Sequence, residues 1–155
     1  VKFLVVPHEI DAVTLREVQE KIPAKSLLYT ECTADTDFTD VQVLVVNILG
    51  SLSRIYRYGN WAYVGGGFTA YLHSVIEPAV YGIPVAFGPR IERKTTPKEM
   101  VHRGIGAIVT TPEGLCHWFN QAREEKEQME VKSRTTAFIE ANANFTQKVC
   151  ANIEQ

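Results

Sequence analysis

A glycine triplet followed by histidine, serine and glutamate is the set of residues in this sequence best suited to binding chemistry. Gly65, Gly66 and Gly67 end a short apolar segment, and the stretch His73-Ser74-Val75-Ile76-Glu77 follows soon after. Backbone N–H groups in a glycine turn suit an anion such as a phosphate. A carboxylate such as that of Glu77 accepts paired hydrogen bonds, which suits a sugar diol. The pattern is therefore compatible with binding of a phosphate and a sugar.

Structural explanations compete with this interpretation. The triplet is also typical of a turn with positive φ angles, and it matches neither the GxGxxG dinucleotide motif nor a P-loop. Ser74 and Glu77 have the S-x-x-E spacing of a capping box, and Pro78 next to them suits a first helical turn. Either explanation accounts for the residues, so both stay open at this point.

Further polar residues follow other strand-like segments. His8 and Glu9 come after the first of these segments, and Arg90 follows Gly88-Pro89 after a later one. His73, His8 and Arg90 suit contact with an anion, although a structurally bonded loop histidine and a solvated arginine are equally consistent. The spacing of histidines and cysteines does not indicate a metal site.

The elements that must position these residues alternate regularly. Short apolar strands are predicted at 2–6, 27–29, 41–46, 62–64, 85–87 and 107–109, and the continuous apolar run at 2–6 indicates a buried strand. Helices are predicted between them: at 12–22, with Asp11 as cap and Pro23 as stop, at 51–58, from the segment of His73-Ser74 and Glu77-Pro78 to about Gly82, at 97–103 and at 112–123. A long polar helix is expected from Glu124 towards Ile153. This alternation predicts an α/β, Rossmann-like three-layer domain with about six parallel strands in one sheet. We expect a single domain over residues 1–155. The carboxyl ends of parallel strands meet at one edge, where such sheets bind ligands.

Bulk composition excludes several classes of protein. A formal net charge of −2 gives no electrostatic reason to expect a nucleic-acid partner. No apolar run approaches the roughly 20 residues that cross a bilayer. Three widely spaced cysteines, Cys32, Cys116 and Cys150, favour free or buried thiols in a reducing compartment. The sequence starts at Val1 with a strand close behind, so we expect it to be part of a longer protein.

The combination of these motifs is more specific than its parts. The chain carries, in this order, the segments FLVVPHEI (3–10), YTE (29–31), LGSLSRIYRYG (49–59), YRYGNWAYVGGGF (56–68) and HSVIEPAVYGIPVAFGP (73–89). Over about residues 1–115, the chain resembles the nucleotide-sugar half of 3-deoxy-D-manno-octulosonic acid (Kdo) transferase. This family consists of GT-B glycosyltransferases of lipopolysaccharide synthesis. The resemblance implies the carboxyl-terminal half of a GT-B fold.

The resemblance also implies site residues and partners. CMP-Kdo would be the donor, with Glu77 matching the glutamate that holds the cytidine ribose, and the predicted binding set would be His8, Glu9, Gly50, Gly65, Gly66, Gly67, His73, Ser74, Glu77 and Arg90. No cofactor and no metal would be needed. The lipid A precursor would be the acceptor, bound by an amino-terminal domain that is not in this chain. The general base would also lie there, so this chain would contain no catalytic residue and would be inactive alone.

Localisation follows from the same resemblance. The full-length protein would act at the cytoplasmic side of the bacterial inner membrane and associate with the membrane only through the other half, while the fragment would be soluble. No nucleic-acid partner is expected.

Several residues depart from the family pattern. Tyr71-Leu72 and Ser74 flank His73 where the family has glycine and asparagine, and Asn47 stands where it has aspartate. The stretch 90–96 replaces a usual phenylalanine and glutamate. Two alternatives therefore stay open: a GT-B-like relative that uses another nucleotide sugar, and an inactive binding domain.

Overall fold

A computed structural model of the chain describes residues 1–69 and 71–143. The strands are β1 (Phe3–Val5), β2 (Ser26–Leu28), β3 (Val43–Val45), β4 (Ala62–Val64), β5 (Val85–Phe87) and β6 (Gly106–Ile108). The helices are α1 (Ala12–Lys21), α2 (Leu52–Ile55), α3 (Ile76–Val80), α4 (Thr95–His102), α5 (Pro112–Ala122) and α6 (Glu125–Asn142), with 3₁₀ turns at Tyr29–Glu31 and Tyr56–Tyr58. The predicted α/β class with six parallel strands is confirmed.

The ladders differ from the predicted single sheet. The six strands form two three-stranded parallel sheets, ordered β1-β3-β2 and β4-β5-β6. The chain divides into two compact units, Val1–Arg54 and Ile55–Gln155, called the first and second unit below. Each sheet lies wholly within one unit, which is why strand–helix alternation alone did not reveal the division. The expected single domain over residues 1–155 stays a prediction.

In the first unit, α1 packs on one face of its sheet. Leu15 of α1 lies against Val43 and Val45 of the central strand β3. Asp11 caps α1 by accepting hydrogen bonds from the backbone N–H groups of Val13 and Thr14. The Thr14 hydroxyl also donates to this carboxylate and, with the backbone N–H bonds, lowers its pKa. The predicted cap and helix are thus confirmed.

The prediction that β1 is a buried strand is wrong. Phe3 is 54% exposed and Leu4 is 43% exposed. The strand order explains the difference, because β1 pairs only with β3 and forms an edge of its sheet. A continuous apolar run predicts a strand of a parallel sheet, but it does not predict whether that strand lies at the centre or at the edge of the sheet.

In the second unit, the central strand β5 is fully buried. Val85 and Phe87 form a core with Met100 of α4 and Phe138 of α6. Arg103 covers the Phe138 ring, with its guanidinium carbon 5.4 Å from the ring centroid. Trp61 donates its indole N–H to the Ala122 carbonyl and packs edge-on against Phe119. These contacts fix the sheet whose carboxyl edge carries the glycine triplet.

Element boundaries differ from the predictions by a few residues. Helix α4 starts at Thr95, so Pro97 lies inside its first turn, and the segment predicted as one helix at 51–58 is α2 followed by a 3₁₀ turn. The predicted continuation of α6 towards Ile153 lies outside the described residues, as does Cys150.

Cys32 and Cys116 are free thiols. In the part of the chain that the structure describes, no helix is long and apolar enough to span a membrane.

Candidate functional site

The glycine triplet forms a turn directly after β4, as predicted. Gly66 has a φ of +84°, a conformation that favours glycine, and a Cβ there would collide with the Tyr71 carbonyl group. A Cβ on Gly67 would lie 2.5 Å from the backbone nitrogen of Gly88. Gly66 and Gly67 are therefore required by contacts within the protein itself.

Gly65 differs from the other two glycines. The nearest atom to a Cβ built at Gly65 is Cδ2 of His73, at 3.9 Å. No steric contact or positive φ among those described requires glycine at this position. The absence of a side chain at Gly65 would therefore let a ligand approach the backbone closely. Gly66 and Gly67, in contrast, are explained by contacts within the protein.

The loop that follows the triplet returns to it. The His73 N–H donates to the Gly65 carbonyl over 3.2 Å, and the Lys94 ammonium donates to the Leu72 carbonyl over 2.7 Å. Leu72 is buried, whereas His73 and Ser74 are exposed. The structure thus brings His73 and Ser74 to the same edge as the glycine turn.

The capping-box explanation of Ser74 and Glu77 is wrong. The N-cap residue of α3 is Val75, and it makes no side-chain capping bond. Helix α3 begins at Ile76, so Ser74 lies one residue too early to cap it. The segment before α3 is held to the glycine turn by the backbone bond from the His73 N–H to the Gly65 carbonyl.

Glu77 lies in the first turn of α3 and is half-buried. Burial raises the pKa of the Tyr56 phenol, and the negative charge of Glu77 raises it further. Among the described residues, no hydrogen bond or ion pair uses the Glu77 carboxylate. The carboxylate is therefore available to a ligand at this position.

Arg90 lies at the same edge of the second sheet. Its backbone N–H donates to the Gly67 carbonyl over 2.9 Å, which joins the loop after β5 to the loop after β4. Its side chain is exposed, and no ion pair within 1–69 and 71–143 involves it. This leaves a guanidinium, a strong anion-binding group, beside the glycine turn.

The remaining predicted residues belong to the first unit. His8 and Glu9 follow β1 and are exposed, and Gly50 lies in a turn after β3 with a φ of +73° and open space around it. Because β3 is central in its sheet, the loop after it neighbours the loops after β1 and β2. These residues share the carboxyl edge of the first sheet.

Three contacts at these edges were missed by sequence reasoning. The Asn47 side chain accepts from the Thr30 N–H and donates to the Thr30 hydroxyl. The half-exposed Phe68 ring lies against Gly88, and Lys94 reaches the Leu72 carbonyl. The signals in the sequence were the departures from the family pattern at Asn47, at Leu72 and in the stretch 90–96, which contains Lys94.

Among the described residues, no metal cluster lies at the predicted site, and one groove of the second unit lies away from it. The described residues contain no group of three or more histidine, cysteine or acidic side chains able to hold a metal ion. A groove of about 570 Å³ lies at the opposite, amino edge of the second sheet, beside Gly104 and Gly106. Four of its five charged residues form ion pairs: Arg134 with Glu127 and Glu130, and Lys126 with Glu130. The groove therefore does not replace the carboxyl edge as the candidate site.

Comparisons with known proteins support the resemblance. No family model matches the sequence. The chain is 30% identical over 118 residues to a 3-deoxy-D-manno-octulosonic acid transferase of Chlamydia pneumoniae, a match that covers 75% of this chain and 25% of the relative. It is 26% identical over 137 residues to the transferase of the same name from Aquifex aeolicus, covering 86% of this chain and 37% of the relative.

A solved structure supports the fold. The C-terminal CMP-Kdo binding domain of WaaA from Acinetobacter baumannii matches with a TM-score of 0.75 and 17% identity, over 88% of this chain and 72% of that one. The chain spans about a quarter to a third of the length of its curated relatives. The predicted relationship is confirmed: this chain is a homologue of part of the 3-deoxy-D-manno-octulosonic acid transferases and has the fold of a carboxyl-terminal GT-B domain.

Proposed function

We propose that the chain is the donor-binding part of a glycosyltransferase that moves Kdo from CMP-Kdo to a lipid A precursor in lipopolysaccharide synthesis. The observation that carries the proposal is the agreement of two independent comparisons. The sequence relatives are named as Kdo transferases, and the structural neighbour is a CMP-Kdo binding domain. Nucleotide binding at the carboxyl edge of parallel strands is the general behaviour of such sheets.

The second unit would bind the phosphate, ribose and sugar. Gly65 has open space beside its backbone, and the Arg90 guanidinium lies at the same edge, which suits the phosphate. The Glu77 carboxylate would accept hydrogen bonds from the ribose hydroxyls. His73 and Ser74 would contact the donor from the loop that returns to the turn. His8, Glu9 and Gly50 stay predicted nucleotide contacts of the first unit.

The chemical step would depend on residues outside this chain. Transfer needs a base that removes a proton from the acceptor hydroxyl, and we assign no residue here to that role. Acceptor binding and membrane association, at the cytoplasmic side of the inner membrane, would belong to the remaining part of the enzyme. The residues of this chain would hold and orient the donor.

A second candidate is a GT-B-like relative that uses another nucleotide sugar. It is favoured by the position of the departures from the family pattern. Tyr71, Leu72 and Ser74 lie in the loop that returns to the glycine turn, and the stretch 90–96 follows β5 at the same edge. Changes at a binding edge alter donor choice more readily than changes in a core.

Equilibrium binding of nucleotides by the 155-residue chain tests the proposal. Calorimetric titrations with CMP, UDP and orthophosphate should show CMP binding most tightly, although weakly, because in a GT-B enzyme the second half closes the donor site. Tighter binding of UDP would favour the second candidate. Equal, negligible binding of all three would contradict both and favour an inactive domain.

A further inference from the structure

Two segments that depart from the family pattern contact each other. One is the loop containing Leu72 and His73, and the other is the stretch 90–96 after β5. The Lys94 ammonium donates to the Leu72 carbonyl over 2.7 Å in a partly buried position. The contact therefore links the loop next to α3 with the loop next to α4.

The Leu72 carbonyl lies between the core of the second unit and the glycine turn. Leu72 is 3% exposed and belongs to the core of the second unit. The next residue, His73, donates its backbone N–H to the Gly65 carbonyl. The loop is thus held by Lys94 on one side and by the glycine turn on the other.

Lys94 is itself well anchored. Its backbone N–H donates to the Ile91 carbonyl over 2.9 Å, and Ile91 is buried in the same core. The neighbouring Arg90 N–H donates to Gly67. Because Leu72 and Ile91 keep their places in the core, breaking the contact should loosen the backbone around Leu72 and His73 and leave the sheet intact.

We propose that Lys94 is a positioning residue for the donor site, because its ammonium holds the Leu72 carbonyl and thereby places the segment from His73 to Glu77 against the glycine turn. The inference rests on the proposed function of that segment. A hydrogen bond from a charged donor is roughly twice as strong as a neutral one, which suits a single side chain that fixes a loop.

Three variants of the full 155-residue chain test the proposal. Lys94→Met removes the donor, Lys94→Arg restores a charged donor, and Lys98→Met is the matched control. Lys98 lies in α4, whose N-cap residue is Lys94, and its ammonium also donates to a backbone carbonyl, that of Glu92, rather than to Leu72. Two quantities are measured: hydrogen exchange of the His73 amide and the dissociation constant for CMP.

We expect Lys94→Met to exchange the His73 amide at least several-fold faster and to weaken CMP binding about fivefold to tenfold, as loss of one charge-assisted contact would. Lys94→Arg should restore both quantities in large part, and Lys98→Met should leave both unchanged. Unchanged His73 exchange in Lys94→Met would overturn the proposal. So would faster exchange with unaltered CMP affinity.

The test separates this proposal from the proposed function. If the unmodified chain binds no CMP, the proposed function fails and the role of Lys94 at a donor site fails with it. If the chain binds CMP and Lys94→Met binds it equally, only the positioning role fails. A loss of CMP binding that Lys94→Arg restores without any change in His73 exchange would point to direct contact with the phosphate and would also overturn the positioning role.

Discussion

Within residues 1–69 and 71–143, the Glu77 carboxylate makes no hydrogen bond or ion pair that explains it, although its charge raises the pKa of Tyr56. Its spacing from Ser74 is that of a capping box, but the structure places the helix start after Ser74 and gives the carboxylate no bond within the described residues. A half-buried carboxylate without a partner costs free energy unless water or a ligand compensates. This observation increases the weight of the ribose-binding role.

Glu77→Gln should weaken CMP binding and leave the fold intact. A hydrogen bond to a charged group contributes roughly 1.5–3 kcal/mol, so the loss should be about tenfold or more. The melting temperature should hardly change, since no cap is lost. Calorimetry and thermal unfolding of the same preparations measure both effects.

Glu113→Gln is the matched control. Glu113 also lies in the first turn of a helix of the second unit, next to a proline, but it is not among the predicted site residues. It should leave CMP affinity unchanged. Equal CMP binding by the unmodified chain and Glu77→Gln would refute the ligand role of Glu77.

Two neighbouring glycines should respond differently to the same substitution. Gly66→Ala forces a positive φ, which costs about 1–2 kcal/mol, and adds a collision with Tyr71. Each kcal/mol lowers the melting temperature of a chain of this size by roughly 2–4 °C. Gly65→Ala meets no atom closer than 3.9 Å and should keep the melting temperature while weakening CMP binding. Equal thermal stability of the two variants would contradict this assignment.

Element patterns were predicted well where local chemistry decides them. Asp11 and Pro23 bound a helix that the structure confirms as α1, and the apolar runs at β3 and β5 are central strands. The predicted start of α3 was wrong: the helix begins at Ile76, and a backbone bond from His73 to Gly65 holds the residues before it, a contact that the S-x-x-E pattern does not contain. Contacts such as Lys94 with Leu72 join residues far apart in sequence and leave no local signal.

Asn47 should act as a connection between two elements of the first unit. It joins the loop after β3 to the 3₁₀ turn after β2 through two hydrogen bonds with Thr30. Asn47→Leu removes both and should lower the free energy of unfolding by about 1–3 kcal/mol. Asn47→Asp keeps two acceptors for the Thr30 N–H and hydroxyl, so it should be milder.

Urea unfolding followed by circular dichroism measures this difference. A leucine variant as stable as the unmodified chain would show that the Asn47 contacts do not stabilise the unit. If the aspartate variant fell as far as the leucine variant, hydrogen-bond geometry would not explain the residue.

At the scale of the whole molecule, the sequence predicted the fold class and the relationship, but it did not predict the division of the strands. Strand–helix alternation specifies parallel pairing within each sheet, yet it carries no information on which strands form a continuous ladder. Motif order, from FLVVPHEI to the GIPVAFGP segment, indicated the family because it combines several short matches. Motif order does not show how much each site residue contributes to binding.

The chain alone should transfer no sugar. It spans about a quarter to a third of its curated relatives, and no residue in it is assigned as general base. An assay with CMP-Kdo and a lipid A precursor should therefore give no product above background. Product formed by residues 1–155 alone would overturn the proposal that the chemical step needs a further part of the enzyme.

Nuclear magnetic resonance of the chain during a CMP titration tests the central claim most directly. Amide shifts in the second unit should concentrate at the carboxyl edge of its sheet, at residues 65–67, 73–77 and 88–90. The amino-edge groove around 104–107 and 124–130 should stay unchanged and serves as an internal control. Shifts confined to that groove, or no shifts at millimolar CMP, would contradict the proposal that this chain is a CMP-Kdo donor-binding unit.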